Sequence, residues 1–207
     1  MSSSQEIIII FTRYPEPGKT KTRLISALGE QGAAELQKTL TEYTITEVSK
    51  LDVNIRVYFS GGNETLMRNW LGNTYQYCPQ SRGDLGERLI AALKESFTAQ
   101  VERIIIIGID CPGLDAQLIN QAFQQLLSND LVLGKAEDGG YYLIGLRRFL
   151  PKLFQGIDWG TNAVLQQTVS IAETMGLKIG YLPMLNDIDV PEDLENITLP
   201  WQSDMNA

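Results

Sequence analysis

Two stretches constrain the fold more than any other feature of this chain: "EIIIIFT" at residues 6–12 and "RIIIIGID" at 103–110. A strand with one face in water alternates apolar and polar residues, because successive side chains point to opposite sides. Four isoleucines in a row leave neither side polar. Their β-branched side chains favour an extended backbone. Burial on both faces is the condition of a strand inside a parallel sheet covered by helices. Weaker strand patterns lie at 54–60, 130–136, 139–146 and 177–183.

Helix-period segments separate them. Residues 30–49 bring Ala33, Leu36, Leu40 and Val48 near one face. Residues 84–98 open with Asp84 and Glu87 at capping-box spacing, and 115–127 place Leu118, Ile119, Ala122, Phe123 and Leu126 on one side. A further helix fits 161–175, with Gly176 as its stop. The alternation predicts a three-layer α/β/α fold with a mostly parallel sheet. It fits one domain over residues 1–199, followed by a loose tail at 200–207. "DGGYYLIGL" (138–146) ahead of "RRFLPKLF" suggests an antiparallel or irregular insertion. In such sheets ligands lie beyond the carboxyl ends of the strands, which gathers the loops 12–23, 79–88, 110–114 and 136–140 on one rim.

A formal net charge of −8 over 207 residues argues against general nucleic-acid binding, which depends on Lys and Arg neutralising phosphates. Against that background one basic loop stands out. Arg13, Lys19, Lys21 and Arg23 cluster just past the first strand, in "TRYPEPGKTKTRL". "PGKT" is not a Walker A loop, because Arg13 occupies the position where that motif needs its first glycine. A phosphate site and a solvated basic turn fit these residues equally well.

The chain has no histidine. That removes Ser-His-Asp and Cys-His catalysis and most catalytic zinc sites. Cys78 and Cys111 suggest no disulfide framework and fit a reducing compartment. Without a histidine to activate it, Cys111 reads as a packing residue. The opening "MSSSQE" and the short apolar run after it predict no signal peptide, and no stretch approaches the roughly 18 apolar residues of a membrane span. A cytoplasmic protein is expected.

Chemistry must then come from carboxylates, basic groups, hydroxyls or an oxygen-liganded metal. In "GIDCPGL" Asp110 ends an apolar strand, where it either caps the next turn or faces the crevice. In "EDGG" Asp138 precedes Gly139 and Gly140, a pair that permits either a tight turn or close approach of a ligand. In "NDIDVPEDL" Pro191, Glu192 and Asp193 suit a helix start. Asp187 and Asp189 remain, alternating on an extended segment, a fair beginning for a hard-metal site. Arg82 and Arg88 in "QSRGDLGERL" suit either an anion or a solvated helix start.

In order, "FTRYPEPGKTKTRL", "GDLGERL", "GIDCPGL", "DGGYYLIGL", "WGT" and "DIDVPEDL" resemble the DUF2064 family over about residues 6–195. That resemblance implies a GT-A-like nucleotide-diphospho-sugar transferase fold, with some members tied to arsenosugar biosynthesis. Carried over by position, it implies a phosphate-binding loop from Arg13 to Arg23, with Lys19, Lys21 and Arg23 as the contacts. It also implies Asp110 as a metal-binding aspartate and Asp189 as the second acid, with Asp187 its competitor. Mg²⁺ or Mn²⁺ would be the cofactor. A nucleotide-sugar donor and a small-molecule acceptor would be the substrates, with Asp138 the candidate general base. Val190 stands where threonine is usual in the last motif. Prolines stand where nucleotidyltransferases of the wider superfamily carry paired glycines. Two other readings remain: a nucleotidyltransferase that releases pyrophosphate from a nucleoside triphosphate, and a non-catalytic nucleotide-binding module.

Overall fold

A computed structural model describes residues 6–195; the tail expected at 200–207 lies outside the described residues. The strands are Glu6–Arg13 (β1), Asn54–Ser60 (β2), Gln76–Pro79 (β3), Arg103–Ile107 (β4), Leu131–Ala136 (β5), Tyr141–Leu146 (β6) and Ile179–Leu185 (β7). They form one seven-stranded sheet in the order β3-β2-β1-β4-β6-β5-β7. Only β6 runs against its neighbours, antiparallel to both β4 and β5. The other pairings are parallel. The insertion suggested by "DGGYYLIGL" is therefore an antiparallel strand inside the sheet.

The isoleucine runs occupy the centre, where β1 pairs with β4 from Glu6↔Arg103 to Ile10↔Ile107. Ile8, Ile10, Ile105 and Ile107 enter the core on one face of the sheet. Ile7, Ile9, Ile104 and Ile106 enter the core on the other. The helices are Ile25–Val48 (α1), Glu64–Leu71 (α2), Leu85–Ser96 (α3), Ala116–Gln125 (α4) and Val164–Thr174 (α5). Buried residues of α1, α2 and α4 cover the first face, and those of α3 and α5 the second. These are the three layers expected. No helix among the described residues is long and apolar enough to cross a membrane.

Three boundaries differ from expectation. Helix α1 begins at Ile25 rather than at 30, because Gly29 (φ 71, ψ 169) kinks it and hides the first turn from a periodicity argument. Strand β4 ends at Ile107, so Asp110 lies in the loop beyond it instead of terminating it. Helix α2 and strand β3 have eight and four residues, too short for their patterns to rise above the surrounding loops. The capping box of α3 forms as the sequence indicates: the Glu87 N–H donates to Asp84 Oδ1 at 2.8 Å, and the Asp84 N–H donates to Glu87 Oε2 at 3.0 Å.

Candidate active site

All the parallel strands end on the same rim, so the segments after β1, β3, β4, β5 and β7 meet there. The start of the basic loop is fixed by two glutamines. Gln37 of α1 donates to the Arg13 carbonyl at 3.1 Å and to Thr12 Oγ1 at 3.2 Å. Gln80, just past β3, donates to the carbonyls of Thr12 (3.1 Å) and Tyr58 (3.0 Å). Arg88 holds Gln80 in turn, Nη1 to Oε1 at 3.0 Å, which gives that arginine a place in the scaffold rather than at an anion. No motif in the sequence points to either glutamine.

The four basic residues expected to bind phosphate have different surroundings. Arg13 donates to the Lys19 carbonyl at 2.6 Å and so shapes the loop. Lys19 faces outward and pairs with Glu16 at 2.6 Å. Lys21 turns inward: its side chain is 3% exposed, and its Nζ lies 2.5 Å from Asp110 Oδ1. The same ammonium donates to the Ile188 carbonyl. Lys21 is also the one non-glycine residue with positive φ (47°) among the described residues. A left-handed backbone costs an ordinary side chain about 1 kcal/mol or more, and the buried charge contacts hold it there. Arg23 stays largely exposed and pairs with Asp189 Oδ2 at 2.5 Å.

The acids separate in the same way. The Ile188 N–H donates to the Asp110 carbonyl at 2.9 Å, which stitches the segment after β7 to the loop after β4. Asp189 belongs to Arg23. Asp193 accepts the N–H groups of Asp189 and Val190 at 2.8 Å each, so it caps the turn Pro191–Glu195. Asp187 stands where Asp110 and Asp138 both act on it. Its carboxyl is pushed up to about 6, first by burial, then by the charges of Asp138, Asp193 and Asp110, against a lowering backbone hydrogen bond. The buried Cys111 thiol is pushed up by burial and by Asp187, Asp110 and Asp138, so it is inert as a nucleophile. Asp110, Asp138 and Asp187 line one cavity together, and Asp138, Asp187 and Asp189 line the one beside it.

Asp138 is exposed. Its Oδ1 accepts the Gly140 N–H at 2.8 Å and closes a tight turn. The space beside Gly139 (φ 88) does not belong to a ligand, because a Cβ there would lie 2.3 Å from the Asn162 carbonyl oxygen. The glycine lets the 159–163 segment approach, and the Leu165 N–H donates to the Gly139 carbonyl at 2.9 Å. That segment is the "WGT" motif, to which sequence reasoning gave no role. Asp158 braces it through two bonds with Gln167, at 2.8 and 2.7 Å.

Two adjoining cavities share Asp138, Gly160, Thr161 and Asp187. The more apolar one, the inner cavity, about 340 Å³, is lined by Asp110 together with Phe11, Leu85, Leu89, Tyr141 and Trp159. The outer one, about 550 Å³, is lined by Arg23 together with Asp189, Asp193, Glu137 and Glu192.

The sequence model of the family described as "Uncharacterized protein conserved in bacteria (DUF2064)" matches residues 44–161. The chain belongs to the DUF2064 family. The matched span of this DUF2064 protein contains Asp110, Asp138 and Trp159, while the basic loop and Asp187 lie outside it. A crystal structure of a candidate nucleotide-diphospho-sugar transferase from Desulfovibrio desulfuricans extends the likeness. It is 33% identical, with a TM-score of 0.90 over 96% of this chain and 90% of that one. The inositol-1-phosphate CTP transferase of T. maritima shares the fold at 15% identity, with a TM-score of 0.61 over 94% of this chain and 93% of that one. A 4-diphosphocytidyl-2C-methyl-D-erythritol synthase from Anaerococcus prevotii does so at 13% identity, with a TM-score of 0.60 over 92% of this chain and 94% of that one. No curated protein matches the chain.

Proposed function

We propose that this DUF2064 protein is a glycosyltransferase that moves a sugar from a nucleotide-diphosphate donor to an acceptor hydroxyl. The observation that carries the reading is the meeting of the basic loop with the acids: Lys21 on Asp110 and Arg23 on Asp189, at the rim where parallel strands end. Transfer of a sugar leaves a nucleoside diphosphate with added negative charge, and fixed positive charge must stand where it develops. The description of the 33%-identical protein from Desulfovibrio desulfuricans supports the same reading.

The donor set suits a hard cation. Asp110, Asp138 and Asp187 offer oxygen only, as Mg²⁺ and Mn²⁺ prefer, and the Asp187 carboxyl is raised first by burial and then by the charges of Asp138, Asp193 and Asp110, which a cation would offset. Among the described residues no three acidic or sulfur side chains already form a closed metal site. Asp110 and Asp187 would hold the ion, with Asp189 joining if Arg23 releases it. When bound, the ion would neutralise charge on the donor diphosphate.

The remaining steps belong to side chains. Arg23, 64% exposed at its side chain, is free to leave Asp189 for a phosphate oxygen. Lys21 keeps the loop against Asp110 and Ile188, which sets where that arginine stands. Asp138 uses one carboxylate oxygen to hold its own turn, and the other would take the acceptor proton as general base.

A nucleotidyltransferase is the alternative, favoured by the likeness to cytidylyltransferases. The test is to incubate the protein with Mn²⁺ and either UDP- or GDP-sugars or nucleoside triphosphates, following the released product and thermal stability together. A bound donor should raise Tm, nucleoside diphosphate should appear, and Asp110→Asn should abolish its release. Pyrophosphate released from a triphosphate would replace this reading with nucleotidyl transfer. Failure to bind any nucleotide would leave neither.

A further inference from the structure

The inner cavity differs from the outer one in its apolar walls and in lacking a cation, since Arg23 stands among the acids of the outer one. Three carboxylates, Asp110, Asp138 and Asp187, belong to its lining, and no lysine or arginine lines it among the described residues. Its walls are apolar: Phe11, Leu85, Tyr141 and Trp159 are each only half-buried, so their surfaces are left for something else to cover. The aromatic pair is rigid. Tyr141 and Trp159 meet edge to face at 6.5 Å and 81°. Trp159 also leans so closely on the start of α3 that a Cβ at Gly86 would lie 2.6 Å from its Nε1. Lys21, which pairs with the lining residue Asp110, is already engaged by that carboxylate and by the Ile188 carbonyl.

We propose that the inner cavity is the acceptor subsite, that it takes an uncharged acceptor with an apolar face, and that Trp159 determines this specificity. The inference rests on the transferase reading and deepens it. An ion on Asp110 and Asp187 would be committed to the donor diphosphate, so a phosphorylated or carboxylated acceptor would find no basic side chain in the lining and would face the Asp138 carboxylate, and like charges at close quarters are strongly disfavoured. A neutral ring loses nothing there. It gains a flat aromatic wall, the usual partner of a sugar or aromatic face, in a cavity that Asp138 also lines. Gly160 and Thr161, shared by the two cavities, form the passage between this subsite and the outer cavity with Arg23.

The test uses matched probes, phenyl β-D-glucoside and its 6-phosphate, titrated into the whole protein at millimolar concentration. Saturation-transfer NMR reads the binding. The neutral probe should bind and the 6-phosphate should bind at least about tenfold more weakly. Trp159→Ala should weaken the neutral probe about tenfold, while Trp159→Phe should retain most of the binding. Leu85→Arg, which puts a cation on a half-buried wall at the first position of α3, should bring the 6-phosphate to equal or better binding. It also serves if Trp159→Ala does not fold. Equal or tighter binding of the 6-phosphate to the wild type, or no binding of the neutral probe, overturns the proposal. A separate titration with UDP-glucose and Mn²⁺ keeps the two readings apart. Donor binding with a preference for the 6-phosphate sinks the subsite alone, whereas neutral-probe binding without any donor binding sinks the transferase.

Discussion

Replacing Asp187 with Asn tests the cost of ionising this carboxyl directly, because the change removes the charge and keeps the shape. The Asp187 carboxyl lies at about 6 instead of the ordinary 3.8, with burial as the largest cause and Asp138 next. Such a difference corresponds to at most ~3 kcal/mol of native-state destabilisation once the group ionises. Solvent screening at a half-exposed position reduces this to ~1 kcal/mol. The sign follows from the proton affinity: folded Asp187 holds its proton more tightly than unfolded Asp187. The penalty is therefore absent below pH 3.8, grows as the pH rises towards 6, and is complete above that. Asp187→Asn should raise Tm by about 3 °C near pH 8, and most of that gain should vanish near about pH 4. Thermal unfolding followed by circular dichroism in EDTA reads both values. Adding Mn²⁺ should cancel the advantage by stabilising the wild type more than the variant. An equal shift at both pH values, or a lower Tm for the variant near pH 8, would refute ionisation of Asp187 as the source of the penalty.

Other consequences follow from the same contacts. Lys21→Met removes a buried charged donor from Asp110 and the Ile188 carbonyl and should cost ~2 kcal/mol of stability. Arg23→Gln changes an exposed pair and should leave chemical denaturation nearly unchanged while weakening donor binding. Urea titration and calorimetry separate the two, and equal stability losses would contradict the division of the loop into an anchor and a free cation. Gly139→Ala places a Cβ 2.3 Å from the Asn162 carbonyl oxygen at φ 88. It should lower stability by ~2–3 kcal/mol, and proteolysis within 157–163 should speed up. An unchanged digestion pattern would show that the turn yields without moving.

The layered fold was legible in the sequence because burial on both faces is a local property: a run of isoleucines contains no alternative to it. The capping box of α3 and the convergence of loops on one rim could be read for the same reason, since spacing and strand direction decide them. The eight residues of α2 and the four of β3 could not, because so few positions define no period. The paired glycines at 139–140 were legible as a site of close approach, but not for what approaches. At Gly139 it is the backbone of Asn162, while Gly140 lines the inner cavity.

What only the tertiary structure decided is which charges meet. The sequence shows alternating basic residues in one loop and alternating acids in a distant one, with no rule for pairing them. Folding turns Lys21 inward onto Asp110, leaves Arg23 exposed on Asp189, and brings Asp187 to the same cavity as Asp110 and Asp138. The physical reason lies in where a side chain's environment comes from. A strand's fate follows from its own residues, while a charge is set by neighbours contributed from the rest of the chain, and those positions exist only once the sheet has brought the strand ends together.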